Sequence, residues 1–592
     1  MKKFVKSLLA LGVTSAITLS VAHAAQYKAE FISPEQSTHQ YTYGQFQNGT
    51  SQEYILSGTN SYNFPVIVEY LFNDLVIQQD TSGNVFASFS FGGQTLGFIY
   101  DLEAYLSGTP VAQDIELSVN YLKANAGNLN YQQATDLTAF IDFGNGAEKI
   151  TVWDENISLQ FPFLTRSTQD YLSGITSNGW LYGTGSAPSL PYTYTNDSND
   201  ILTFWLSDFS LKGFVSLDNG NTIKAVESPF NLYGGVSAVL DMAEVDGNQV
   251  AVGYASISYN ATILNGIEST DTSGCKSSAN NAIVQAACIE SVRASLYNLG
   301  AFKWTFDNNG NVIDNEILGT LVENKHVDDA RNHVSHALAI NSSGVAVGFS
   351  TGFVDIEETN PVIAEPVSTY AVLYKDGGVI DITADRTKMF ASRATDINED
   401  GIAAGYVTEY VNGSARTSAF YLDTNADEMT MQFPEKFFVG SSSTVSAIND
   451  NGFIVGEAEV ERHADTSVAR RRNAFLYDTN TETLTNLNDF LECNSGYEII
   501  EAKDINNLNE ITATALVKTP VKDAKGEDEL DADGNIQYED TVRAVKLTPI
   551  AGEIENCDAE EGNLIERQGA SFSWFFIMLT TMLGFSRRIS KK

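Results

Sequence analysis

Ala337-Leu338-Ala339-Ile340-Asn341-Ser342-Ser343-Gly344-Val345-Ala346-Val347-Gly348 is the stretch on which the fold turns. It returns as Ala394-Thr395-Asp396-Ile397-Asn398-Glu399-Asp400-Gly401-Ile402-Ala403-Ala404-Gly405, and as Val445-Ser446-Ala447-Ile448-Asn449-Asp450-Asn451-Gly452-Phe453-Ile454-Val455-Gly456. A looser copy runs from Ala502 through Ile505-Asn506 and Asn509 to Ala513. The asparagines 341, 398, 449 and 506 stand 57, 51 and 57 residues apart. In each copy an apolar strand ends at Ile-Asn, a Gly or Asn supplies the positive φ of a hairpin turn, and a second apolar strand follows.

A second signature follows each copy: Ala371-Val372-Leu373-Tyr374, Ala419-Phe420-Tyr421-Leu422-Asp423, Ala474-Phe475-Leu476-Tyr477-Asp478 and Ala544-Val545-Lys546-Leu547. It reads as a third strand beside the hairpin. Fainter pairs lie upstream, at Ile175–Gly183 with Gly213–Leu217 and at Val245–Gly253 with Ala301–Trp304. The earliest unit takes Tyr41–Gly44 as its first signature and Gly97-Phe98-Ile99-Tyr100-Asp101 as its second. Three or four short strands every fifty-odd residues is the period of a propeller blade. The expected fold is therefore all-β, a β-propeller of seven blades. Residues 25–170 form a divergent N-terminal β region, 171–550 the repeat blades and 551–568 an acidic linker. Residues 102–170 fit the repeat poorly and read as an elaborated blade, an insertion or a separate β-domain.

These residues resemble the HAF-type extracellular repeat, most clearly in Leu487-Asn488-Asp489, Gly496-Tyr497 and Ala502–Asn506. The chain as a whole resembles an uncharacterised family of exported proteins with a domain of unknown function. That resemblance implies a propeller-like exterior protein and implies no activity.

The two ends carry their own signals. Lys2, Lys3 and Lys6, the apolar stretch Leu8–Val21 and Ala22-His23-Ala24 form a signal peptide with cleavage after Ala24. At the other end Gly569-Ala570-Ser571 precedes the apolar run Phe572–Phe585 and then Arg587, Arg588, Lys591 and Lys592. This tail resembles the GlyGly-CTERM sorting signal, which implies a rhombosortase-type protease cutting near Gly569 and Ala570. Here the second glycine of that motif is replaced by Ala570. The run is short against the roughly 20 residues of a comfortable transmembrane helix, and the basic end holds it on the cytoplasmic side. The expected path is export, transient anchoring in the inner membrane, and the outer surface or the medium. Signal peptidase and the sorting protease are the implied processing partners.

Acidic residues outnumber basic ones 75 to 35, for a net charge of −40, and seven of the basic ones lie in the two terminal segments. Such a surface repels phosphate backbones and excludes nucleic-acid binding. Four cysteines in an exported chain point to two disulfides, and chain order favours Cys275–Cys288 and Cys493–Cys557 among three connectivities. No Cys-x-x-Cys is present, which leaves redox catalysis and zinc clusters without support.

Candidate sites are few. His326, Asp328, Asp329, His333 and His336 have metal-ligand chemistry but read first as a polar lead-in to a repeat strand. Glu529, Asp531, Asp533, Gly534, Asn535 and Asp540 resemble a broken calcium loop, with Asp531, Asp533, Asn535 and Asp540 as the oxygen ligands and Ca2+ as the only cofactor suggested. The competing reading is an acidic hairpin tip. Asp396 begins a similar pattern, but Ala447 and Ala339 replace it in sister copies, so turn chemistry explains it. Trp180, Tyr182 and Pro191–Tyr194 could stack on sugars or pack between blades. No nucleophile elbow, phosphate loop or His-Glu-x-x-His is present. The expectation is a non-catalytic binding protein for an extracellular protein or glycan, with the disulfide-clamped insertion Asp271–Ala294 contributing to recognition. A polysaccharide hydrolase or lyase on the same scaffold is the alternative.

Overall fold

In the computed structural model, the described residues are 26–32, 39–49, 53–135, 137–159, 161–322, 329, 331–354, 366–463 and 468–552. Expectations for the signal peptide with Ala24, for Cys557, for His326 and Asp328, and for the tail with Gly569 and Ala570 lie outside them.

The repeat becomes sheet structure as expected. Seven antiparallel sheets follow one another, with first strands His39–Gln47, Asp170–Ile175, Ser237–Val245, Ser335–Ile340, Met389–Ile397, Ser443–Ile448 and Glu498–Ile505. Within each sheet the strands run in chain order, so the first strand is always an edge. Each first strand packs against the sheet before it, and His39–Gln47 packs against the seventh sheet, which closes the ring of contacts. The N-terminal strand Gln26–Phe31 pairs in antiparallel fashion with Tyr538–Ile550 as the outermost strand of the seventh sheet. The first strand of the N-terminal region thus belongs to the last sheet.

Two features of the signatures acquire physical reasons. The alanine that opens the second signature donates its N–H to a hydroxyl on the next sheet: Ala301 to Ser335 (2.9 Å), Ala371 to Ser392 (2.8 Å), Ala419 to Ser443 (3.0 Å) and Ala544 to Thr42 (3.0 Å). A small side chain there lets the sheets approach. The final glycine of the first signature faces a bulge in the first strand. A Cβ on Gly348, Gly405 or Gly456 would collide with the main-chain oxygen of His336, Arg393 or Thr444.

The first sheet departs from expectation. Its third strand is Leu137–Asp142, carrying Ala139-Phe140-Ile141-Asp142, and it pairs with Tyr54–Ser61. Gly97–Asp101, the expected third strand, falls instead at the end of a separate three-stranded sheet inside an insertion. The local apolar pattern is the same in both places, and only the long-range pairing separates them. That insertion has its own small core, in which Phe89 stacks on Tyr121 of helix Ala112–Ala124 with ring centres 4.4 Å apart.

Candidate functional site

The Ile-Asn turns build one end of the central axis. Asn341 accepts the N–H of Val345 on its Oδ1 (3.2 Å), and Gly344 takes φ +76° to close the turn. Its Nδ2 reaches the next sheet and donates to the main-chain oxygen of Asn398 (3.2 Å). Asn398 repeats this onto Asn449 (3.1 Å), and Asn449 onto Asn506 (2.9 Å). The three asparagines therefore share one local fold, and each staples its sheet to its successor.

Asp396 and Asp504 lie just before two of these turns, and Asp241 holds the same place beside the bulge of the third sheet's first strand. Asp396 accepts its own neighbour's N–H, from Ile397, on Oδ1 (2.8 Å) and the N–H of Ile448 on the next sheet on Oδ2 (2.8 Å). Asp504 does the same with Ile505 (2.8 Å) and Gln47 (2.9 Å), and Asp241 with Met242 (2.8 Å) and Ile340 (2.8 Å). They belong to the third, fifth and seventh sheets. Ala339 and Ala447 hold the equivalent place in the fourth and sixth, and Gly174 in the second. The space Gly174 leaves is filled by the Tyr182 hydroxyl, which donates to Asp241 Oδ1 (2.9 Å).

Burial raises all three carboxyls, Asp241 and Asp504 to about 7 and Asp396 to about 6, against the main-chain hydrogen bonds that favour the charged form. Asp504 feels Asp396 and Asp241 across the ring, although no two of these sheets are neighbours. The three carboxylates are therefore within electrostatic reach of one another. Asp396, set aside in the sequence as turn chemistry, is one of them. The only sequence signal was its alternation with Ala339 and Ala447 along the repeats.

One level further along the axis lie Tyr171, His336, Arg393, Thr444 and Glu501, each one pair before the bulge of its strand. Lys503 pairs with Glu501 at 2.5 Å, and Arg472 with Glu457. Burial works to lower the Lys503 ammonium, but Glu501 and Tyr171 hold it up at about 12. Burial and then Glu501 raise Glu457. The His336 ring is stacked on Tyr254 (4.0 Å between centres) and leans on Phe349 (4.7 Å), and the Arg393 guanidinium covers the Phe349 ring at 4.2 Å. Burial, and then Arg393, drive the His336 imidazole down to about 3, so it is neutral at any ordinary pH.

The sequence candidates are dispersed. Asp531 closes a hairpin tip, accepting the N–H groups of Asp533 (2.9 Å) and Asn535 (2.8 Å) on Oδ1. Asp307 holds Asn309 and Asn311 in the same way, and Asp80 holds Ser82 and Asn84, so this is a recurrent turn of the chain. Asp540 lies on the strand beyond and faces Lys518 at 3.5 Å. Among the described residues no group of three or more His, Cys, Asp or Glu side chains could hold a metal ion. Asp531, Asp533 and Asn535 therefore share one turn, with Asp540 on the strand beyond, and calcium binding by these four residues stays a proposal. Asp329, held low by Arg331, also meets His333 at 3.2 Å, whereas His336 faces the aromatic stack. Trp180 and Tyr182 are buried, and Tyr192 is exposed.

The opposite face carries the insertions. All of them leave from the connection between second and third strands, which lies at the far end from the asparagine turns. The first-sheet insertion meets the hairpin Leu190–Leu206 of the second sheet where Trp205 donates its main-chain N–H to Leu129 (2.6 Å) and its ring meets Tyr70 edge-on. Ser207, just after that hairpin, bonds Glu290 (2.7 Å) and Arg293 (2.7 Å) on helix Ala282–Arg293 of the third sheet. The seventh-sheet connection joins from the other side through Ala524, which accepts from Asn63 (2.8 Å). Cys275–Cys288 clamps the third-sheet insertion, and Cys493 is also disulfide-bonded. Four insertions thus form one continuous crown, for which the sequence offered only the Asp271–Ala294 fragment.

The family model described as "Protein of unknown function (DUF3466)" matches residues 3–588. No curated protein matches the chain. Among solved structures, the β-propeller domain of the trilobed protease from Pyrococcus furiosus aligns at 8% identity and TM-score 0.31, over 88% of this chain and 97% of that one. A polysaccharide lyase of family PL25, an ulvan lyase, aligns at 11% and 0.30, over 79% and 98%. A puromycin hydrolase aligns at 10% and 0.33, over 83% of this chain but only 62% of its own length. These likenesses are to propeller-type proteins with different activities, and none is close enough to carry an argument about function.

Proposed function

The chain belongs to the DUF3466 family of proteins of unknown function, and from that starting point we propose that it is an exported, non-catalytic binding protein. Its seven sheets are the blades of a closed propeller, and the crown is the surface that meets an extracellular protein or glycan. One observation carries this reading: the insertions of four sheets leave from the same face and bond to one another, which is how a rigid scaffold presents a recognition surface. The disulfide Cys275–Cys288 in that crown is consistent with an oxidising compartment. The HAF-type repeat, the signal peptide and the GlyGly-CTERM tail belong to the same proposal. An intact Lys592 on protein recovered from the cell surface would remove its sorting part.

The axial carboxylates support a second reading, that of an acid–base enzyme, through their raised pKa values. Their bonding weighs against it. Asp241, Asp396 and Asp504 make the same two main-chain bonds in alternate sheets, as a structural latch does, whereas acid and base in a catalytic pair sit in unlike surroundings.

The deciding experiment replaces the hairpin Leu190–Leu206 by a two-residue Asn-Gly turn like Asn412-Gly413 of the fifth sheet. Binding of parent and variant to glycan arrays and to intact cells is then compared. Loss of binding with an unchanged unfolding midpoint supports the crown. Full binding by the variant overturns it, and polysaccharide cleavage that disappears in Asp396→Asn supports the enzyme.

A further inference from the structure

Arg393 is a cation without an acidic partner among the described residues. It is half-buried on the first strand of the fifth sheet, one pair before the bulge, at the axial level of Tyr171, His336 and Glu501. Its neighbours along that level are matched: Lys503 has Glu501, and Arg472 has Glu457. Arg393 has neither a hydrogen bond nor an ion pair among the described residues, and its guanidinium rests on the face of Phe349.

The surroundings hold the guanidinium in place without satisfying it. Tyr254, His336, Phe349 and Arg393 form a continuous stack of flat groups drawn from three successive sheets. Stacking against Phe349 fixes the plane of the fork while leaving its N–H edge free. The imidazole of His336 is neutral and adds no second charge, and Tyr406 stands opposite Arg393 on the paired strand. A fixed, unpaired guanidinium edge beside aromatic faces matches a carboxylate on a flat body, held by two parallel N–H···O bonds.

We infer that the axis contains a binding site for a small aromatic carboxylate, with Arg393 as its anchor. The site lies on the axis and goes beyond the crown reading, so the two stand or fall separately.

The probes are benzoate and its neutral isostere benzamide, titrated calorimetrically into the full chain. Benzoate should bind at least tenfold more tightly than benzamide. Arg393→Gln should bring benzoate down to the level of benzamide, while Lys388→Gln, which removes an exposed cation elsewhere, leaves it unchanged. The variant lacking the crown hairpin should bind benzoate as the parent does. If Arg393→Gln does not fold, Arg393→Lys serves in its place, since it retains the charge and gives up the fork. Equal affinity for the two probes, no binding of either, or undiminished benzoate binding in the folded Arg393 variant overturns the assignment.

Discussion

Asn398 joins two sheets with one side chain: its Nδ2 donates to the main-chain oxygen of Asn449 at 3.1 Å while its Oδ1 accepts from Ile402 at 2.8 Å. The amide is 5% exposed, so water cannot replace either bond. Asn398→Ala leaves the Ile402 N–H without its acceptor and takes from the Asn449 carbonyl one of its two donors, the other being the Gly452 N–H. Each such loss costs about 1–3 kcal/mol, and the variant should unfold about 2–4 kcal/mol more easily in denaturant. Glu435→Ala, at an exposed residue outside any strand, is the control and should shift stability by under about 0.5 kcal/mol.

The axial carboxylates set a pH dependence. Their folded pKa values of about 6 to 7 lie above those of an unfolded aspartate. Between about pH 4 and pH 7 the folded chain therefore binds more protons than the unfolded one, and stability falls as pH rises through that window. Above it the penalty is complete. Carboxylates held low by partners, such as Asp329 and Asp385, act only at more acid pH and in the opposite sense. The triple variant Asp241→Asn, Asp396→Asn, Asp504→Asn should show a flatter plot of melting temperature against pH from 4.5 to 7.5. Asp170, raised to about 7 by burial, keeps some of the slope in place. Parallel plots for parent and variant would show that these groups do not titrate as described.

The legible and illegible parts of this chain divide along one line. A turn such as Ile397-Asn398…Gly401 is encoded within five residues, because alternation and a positive-φ glycine are local properties. The second role of Asp396 is not legible locally, because its partner, the N–H of Ile448, lies 52 residues away on another sheet. Gly97–Asp101 was mistaken for a third strand for the same reason, since its apolar order matches that of Ala139–Asp142 and only pairing with Tyr54–Ser61 tells them apart. The stack of Tyr254, His336, Phe349 and Arg393 has no spacing at all in the sequence. It exists only once three sheets meet.

The clamp Cys275–Cys288 closes a loop of 13 residues between helices Ala261–Glu268 and Ala282–Arg293. Chain entropy assigns such a loop about 3 kcal/mol. The helices belong to the crown and contribute little to the ring. The paired Cys275→Ser, Cys288→Ser variant should therefore lose protection of residues 261–293 in hydrogen exchange. The seven sheets should keep their protection. Uniform loss across both would mean that crown and ring unfold as one unit.

Gly405 offers the sharpest test of the repeat, because the collision it avoids is with backbone. In the fifth sheet the bulge between Ala394 and Asp396 pushes the carbonyl of Arg393 toward the facing strand, and a methyl group on residue 405 would overlap that oxygen. Neither partner can rotate away, since both are held in the ladder between Met389–Ile397 and Ile402–Val411. Gly405→Ala should lower stability by about 1–3 kcal/mol, the range for overpacking a rigid interior. The seventh sheet carries Ala513 at this position, paired with Ala502 beside the corresponding bulge. Ala513→Gly should consequently remove a buried methyl at a cost of about 1 kcal/mol without any gain from relieved strain. Equal effects of the two substitutions in chemical denaturation would show that the glycine answers to something other than the bulge carbonyl.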